Sequence, residues 1–82
     1  MIKIRQVRIA PEALEYLMKR QLEKQYQKAK IFIIAWHFTN VDLKICEPKE
    51  DRIWYFRINK KFRALCELDG EILYVLAIDN HQ

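Results

Sequence analysis

Basic and aromatic residues are interspersed over residues 52–63, and this combination is suited to binding RNA. The segment carries five basic residues and no acidic one. Cations bind phosphates and aromatic rings stack on bases, so the combination is typical of single-stranded RNA recognition. A solvated hairpin tip above a buried aromatic face is the alternative, and we favour it for the two lysines alone. The residues are Arg52, Arg57, Lys60, Lys61 and Arg63, interleaved with Trp54, Tyr55, Phe56 and Phe62.

Two of these arginines are expected to face each other across a pair of strands. Apolar residues recur with period two over residues 53–58 and 62–68, and directly paired residues share a face. Pairing Ile58 with Phe62 matches the two apolar sets and places Arg57 opposite Arg63. Like charges so placed cost a few tenths of a kcal/mol up to about 1 kcal/mol. A purely stabilising sheet would avoid the pair, so we predict an anion site.

A second group with possible chemistry ends the chain, where Asp79 and His81 flank Asn80. Histidine has an ordinary pKa of about 6.5 and suits general acid or base catalysis. Strict alternation puts Asn80, not His81, on the face of Arg63, so His81 acts with Arg63 only if the strand ends or bulges near Ile78. The alternative is a plain surface histidine.

Three antiparallel strands are predicted to position these residues, at 52–58, 62–68 and 71–78. The turn at residues 59–61 and the Asp69-Gly70 pair, a strong hairpin signal, separate them. The third strand is apolar on both faces, which indicates a central strand.

The first half of the chain predicts one strand and two helices. Residues 2–8 alternate like a half-buried strand, and Pro11 suits the first position of a helix. A single helix over 11–37 would measure about 40 Å, whereas a domain of this size is about 30 Å across. We therefore expect a break near Arg20-Gln21. Residues 31–38 resemble a strand in composition, but they continue the helical apolar pattern and favour helix. A connector follows, with a short edge strand within 41–46.

These elements predict one α+β domain over residues 1–82: an N-terminal strand, two helices and then an antiparallel β-meander. The helices cover one sheet face. Trp54, Phe56, Phe62, Ala64 and Cys66 are expected to face them. The other sheet face stays partly free and partly apolar, suited to an acidic or amphipathic protein segment. Its expected members are Ile53, Tyr55, Leu65, Tyr74 and Leu76.

Composition limits the other function classes. The net charge of +4 and pI near 9.2 favour a polyanionic partner. Cys46 and Cys66 are isolated, so we expect a buried thiol at Cys66 and neither a metal site nor a cofactor. We find no signal peptide and no apolar run near 18 residues, which predicts a cytoplasmic protein without a membrane contact. Glycosidase carboxylate pairs, phosphate-binding glycine loops and nucleophile motifs are not recognisable.

Taken together, the C-terminal half resembles the RelE/ParE superfamily of small bacterial toxins, and within it the HigB-like killer branch. The helices before it match only in order and length. The matching residues, in order and at fitting spacing, are Arg57-Ile58-Asn59, Phe62-Arg63, Asp69-Gly70 and Asp79-Asn80-His81.

This resemblance implies a metal-independent endoribonuclease that cuts mRNA, commonly on the ribosome. A cognate antitoxin would neutralise it. The expected assemblies are a homodimer of the toxin or a heterotetramer with the antitoxin. Arg63 would stabilise the phosphate, assisted by Arg57 and by Lys60 or Lys61. Asp79 and His81 would transfer protons or hold the phosphate.

Further substrate contacts are expected from Asn80, Tyr74 and Lys44. Asn80 stands where the killer branch often has a tyrosine, and Lys44 lies where some members carry a functional histidine, as a cationic substitute. The superfamily also contains the ParE branch, which inhibits DNA gyrase without cleaving RNA. A ParE-like gyrase inhibitor and an inactive member are therefore the alternatives.

Overall fold

The computed structural model describes residues 2–46 and 48–80, and it has the expected α+β architecture, with the helices on one sheet face. Two short 3₁₀ helices, Phe38–Val41 and Lys49–Asp51, lie in the connector. The strands and helices, in chain order, are β1 Gln6–Ile9, α1 Pro11–Lys19, α2 Glu23–Ile34, β2 Lys44–Ile45, β3 Ile53–Arg57, β4 Phe62–Asp69 and β5 Ile72–Asn80.

The strands form one sheet in the order β1-β5-β4-β3-β2. β1 runs parallel to β5, and the other neighbours are antiparallel. β5 therefore has a partner on both sides, which confirms the prediction of a central strand. The expected edge strand is also present, as β2, although it has only two residues.

The long apolar pattern of the first half is divided into two helices, as predicted from the size of the domain. The break comes at Gln21, whose φ of 57° is left-handed, and the Leu22 N–H bonds the Leu17 carbonyl at 2.9 Å. The expected continuation of α2 to His37 is wrong. Trp36 has a φ of 63°, and its indole N–H donates to the Ile4 carbonyl at 3.0 Å, so the helix ends before it. In the described part of the chain no helix is long and apolar enough to cross a membrane.

The core lies between the helices and the sheet, on the face predicted from alternation. Phe56, Ala64 and Cys66 are fully buried, while Trp54 and Phe62 are partly buried against them. Burial raises the pKa of the Cys66 thiol well above its ordinary value, with a smaller contribution from the Cys46 thiol. The predicted buried thiol at Cys66 is therefore confirmed.

A β-bulge between β4 and β5 sets which residues of β5 reach the site. Leu65 pairs with Ala77 whereas Cys66 pairs with Val75, so Leu76 is an extra residue on β5. Because of this extra residue, each β5 side chain after Leu76 lies on the opposite sheet face from the one that strict alternation predicts.

This bulge overturns one prediction about the end of β5. Arg63 pairs with Asp79, and Asn80 pairs with Phe62 on the core side. Strict alternation had placed Asn80 on the face of Arg63, which is wrong, whereas the alternative of a bulge near Ile78 is present, at Leu76.

Candidate functional site

A row of three charged residues crosses the sheet face opposite the helices, called the outer face below. Arg57 of β3 pairs directly with Arg63 of β4, and Arg63 pairs directly with Asp79 of β5. Directly paired residues have Cβ atoms about 4.5–5.5 Å apart. The predicted opposition of the two arginines is therefore confirmed, and a carboxylate completes the row.

The guanidinium of Arg63 is held from two sides. Its Nη2 donates to Asp79 Oδ2 at 3.0 Å, and its Cζ lies 4.6 Å from the centre of the Tyr55 ring. The side chain is 25% exposed, and its Nε is buried without a hydrogen-bond partner among the described residues. A charge held by a hydrogen bond and a cation–π contact keeps one orientation, and such preorganisation favours stabilisation of an incoming anion.

Arg57 has a different acidic neighbour. Asp42 Oδ2 lies 3.6 Å from Arg57 Nη2, and Asp42 Oδ1 lies 3.1 Å from Lys44 Nζ. Asp42 follows the 3₁₀ helix with a φ of 55°, a left-handed conformation that aspartate adopts more readily than most residues. The predicted cation Lys44 thus joins the site through Asp42. Each arginine thus has a carboxylate neighbour, although Asp42 is shared between Arg57 and Lys44, and these neighbours offset part of the repulsion between Arg57 and Arg63.

The turn between β3 and β4 is fixed by Asn59. Its Oδ1 accepts hydrogen bonds from the N–H groups of Lys61 at 2.8 Å and of Phe62 at 2.9 Å. This Asx-type arrangement shapes the turn locally. Lys60 borders the two clefts described below, whereas Lys61 is exposed and borders neither of them.

The charged groups surround a cleft of about 150 Å³, called the small cleft below. Three cations and one carboxylate border it, so its lining carries an excess of positive charge. The expected residues Arg57, Arg63 and Lys60 are therefore brought together. The full lining is Asp42, Tyr55, Arg57, Asn59, Lys60 and Arg63.

Tyr74 and Asn80 lie away from this cleft. Tyr74 pairs with a residue four positions along β4 from Arg63, a separation of about 13 Å. Asn80 lies opposite Phe62, on the core side of the sheet. His81 falls outside the described residues, so its role stays a prediction.

Three residues of the lining were not among the expected site residues: Asp42, Tyr55 and Asn59. Tyr55 was expected among the aromatic residues of the basic segment and on the free apolar face, and its position two residues before Arg57 places it on the same face as both arginines. Tyr55 pairs with Leu65, so it lies diagonal to Arg63, at a distance that an aromatic ring can span. Asp42 has no such signal, because it lies in a connector whose path cannot be read from periodicity.

These groups are suited to binding a phosphate. Guanidinium groups match phosphate oxygens with paired N–H donors, and two of them flank the small cleft. Over residues 2–46 and 48–80, no cluster of three or more His, Cys, Asp or Glu side chains could hold a metal ion.

Comparison with known proteins does not assign the chain to a family. No protein-family model matches it, and no curated protein is significantly similar in sequence. The resemblance to RelE/ParE toxins stays a prediction from the residues, and the function has to follow from the site.

Proposed function

We propose that this protein is the toxin of a toxin–antitoxin pair and acts as a metal-independent endoribonuclease on mRNA. One observation supports this most: Arg63, held by Asp79 and Tyr55, stands beside Arg57 at a positively charged cleft. Such a cleft is suited to the phosphate of an RNA strand rather than to a neutral ligand.

The proposed reaction is an internal transesterification of RNA. The ribose 2′-oxygen attacks the adjacent phosphorus, a base removes the 2′-hydroxyl proton, and the bond from phosphorus to the 5′-oxygen breaks. An acid returns a proton to that oxygen, which leaves a 2′,3′-cyclic phosphate and a 5′-hydroxyl. Arg63 and Arg57 stabilise the charge that develops on the non-bridging oxygens. Lys60 binds a neighbouring phosphate.

Asp79 and His81 have separate roles in this proposal. Asp79 accepts a hydrogen bond from Arg63 and is 41% exposed, so it acts as a positioning residue that orients the guanidinium. His81 is the proposed proton-transfer group, on the evidence of the sequence alone.

The test is expression of the chain in growing cells, with growth and transcript integrity followed together. The proposal expects growth arrest with fragmented mRNA, and neither effect from Arg63→Ala. Arg8→Ala serves as a matched control. Arg8 lies on the outer face opposite Tyr74, away from the small cleft, and its removal changes the net charge equally.

The proposed partner is an antitoxin with an acidic or amphipathic segment that covers the outer face. Ile53, Tyr55, Leu65 and Tyr74 are all partly exposed, and Leu76 of the same sheet is 43% exposed. Co-expression with a neighbouring reading frame is expected to give a stable complex and restore growth. A non-toxic protein that purifies without a partner contradicts this part of the proposal.

A ParE-like inhibitor of DNA gyrase is the second candidate. One observation favours it: both arginines already have carboxylate neighbours, so their charges are partly balanced within the protein without an RNA phosphate. Growth arrest with intact transcripts and damaged DNA supports this candidate over the nuclease.

A further inference from the structure

A second and larger cleft lies between α2 and the turn that joins β3 to β4. Its volume of about 410 Å³ is within the range of about 300–1,000 Å³ that is usual for small-molecule sites. Phe32, Val41 and Ile58 supply apolar surface. Phe32 is partly buried against the core, so its ring has a supported position.

The polar groups of this large cleft are amides and cations. Gln25 and Asn40 are exposed and can both donate and accept hydrogen bonds, and Lys28 adds a positive charge. As far as the described residues show, its lining contains no carboxylate. A ligand that fits has an apolar body, hydrogen-bonding edges and negative charge.

The two clefts meet at the turn between β3 and β4, the large one on the helix side and the small one on the outer face. Arg57, Asn59 and Lys60 border both of them. An RNA strand that passes around this turn therefore contacts both clefts through the same three residues.

We propose that the large cleft is a nucleotide-binding subsite, which takes one base of the RNA next to the phosphate in the small cleft. This inference rests on the proposed nuclease function and deepens it. The base lies against Phe32, and Gln25 and Asn40 bind its edge, which makes them the specificity-determining residues. Lys28 contacts the strand as it leaves the cleft.

The first experiment is a titration of the intact, isotope-labelled protein with each of the four ribonucleoside 5′-monophosphates, followed by NMR. The expected result is chemical-shift change at Phe32, Asn40 and Lys60, larger for one or two bases than for the others. Inorganic phosphate is the reference ligand, and it is expected to shift Lys60 but not Phe32 or Asn40. Equal shifts with phosphate and with nucleotides overturn the base subsite.

The second experiment compares two double variants of the same composition on the same helix. Gln25→Ala/Lys28→Ala removes one amide and one cation from the large cleft, whereas Gln27→Ala/Lys24→Ala removes the same groups from exposed positions outside it. The first variant is expected to bind nucleotide about tenfold more weakly, which corresponds to the loss of about one hydrogen bond. The control is expected to bind as the unmodified chain does.

RNA cleavage separates this inference from the function on which it rests. If RNA is cleaved and Gln25→Ala/Lys28→Ala changes which sequences are cut, the subsite is supported. If RNA is cleaved but this variant keeps the same sequence preference and nucleotide affinity, the subsite is wrong and the nuclease remains. If nucleotides bind at Phe32 and Asn40 but no RNA is cleaved, the subsite is supported and the nuclease is wrong.

Discussion

Arg57 lies directly opposite Arg63, and the two guanidinium groups are paired with different carboxylates. Asp42 neighbours Arg57 at 3.6 Å, and Asp79 binds Arg63 at 3.0 Å. Each cation therefore has a carboxylate beside it, which offsets part of the repulsion between the two directly paired arginines. A phosphate that approaches the small cleft therefore meets two guanidinium groups that are already in place.

Asp79 variants distinguish positioning from proton transfer. Asp79→Asn retains an oxygen that can accept the Arg63 hydrogen bond, so it is expected to keep much of the cleavage rate. Asp79→Ala is expected to lose about 10- to 100-fold, the equivalent of one charge-assisted hydrogen bond. Cleavage rates over a range of pH provide the check, because a positioning role leaves the shape of the profile unchanged. Equal loss in both variants indicates a proton-transfer role instead.

His81→Ala is expected to lower the cleavage rate by about 100- to 10,000-fold, as removal of a general acid or base does. The part of the pH–rate profile in the range where histidine titrates should disappear with it. His37→Ala is the matched control, since His37 is exposed and borders neither of the two clefts. If both variants keep the unmodified rate, His81 has no part in catalysis.

The two neighbouring lysines of the turn should differ. Lys60 borders both clefts and Lys61 borders neither. Lys60→Ala is expected to weaken RNA binding and to reduce the salt slope by about 0.7, the value for one lost contact to single-stranded nucleic acid. Lys61→Ala is expected to leave both unchanged. Binding measured at several salt concentrations checks this, and equal effects of the two substitutions contradict it.

Tyr26→Phe tests the core. The Tyr26 hydroxyl is buried and has no hydrogen-bond partner among the described residues, so its removal should stabilise the fold by about 1 kcal/mol. Burial, with a smaller effect of the Cys66 thiol, raises the pKa of Tyr26 to about 12. In the unfolded chain the Tyr26 hydroxyl ionises near its ordinary pKa of 10.0. The raised pKa in the folded state therefore contributes to stability fully below about pH 10, and this contribution is lost as the pH rises towards 12.

The stability gap between Tyr26→Phe and the unmodified chain should therefore widen above pH 10. Urea unfolding at neutral and alkaline pH measures it, with the partly exposed Tyr16→Phe as control. A gap that is the same at both pH values contradicts the assignment.

The sequence predicted the centre of the site well, for a clear reason. Apolar residues recur at every second position along β3 and β4, as Phe56 and Ile58 do and as Phe62 and Ala64 do, and matching these two sets determines the pairing of β3 with β4. This pairing places Arg57 directly opposite Arg63, as the structure shows.

The parts that were not predicted lack such a pattern. β5 is apolar on both faces, so its sequence could not decide between strict alternation and a bulge near Ile78, and the structure has the bulge, at Leu76. Asp42 reaches Arg57 from a connector, and the left-handed Trp36 ends α2 where the apolar pattern continues. Each of these depends on contacts between distant parts of the chain.

The central claim is that Arg63 drives RNA cleavage, and cleavage of purified RNA by the purified chain in the presence of EDTA tests it most directly. We expect products that end in a 2′,3′-cyclic phosphate and a 5′-hydroxyl. Arg63→Ala should be about 100- to 1,000-fold slower while remaining folded, since Arg63 is not a core residue. Arg8→Ala should cleave at the unmodified rate. Equal rates for Arg63→Ala and Arg8→Ala, or RNA that stays intact with every form of the protein and also on ribosomes, would contradict the account.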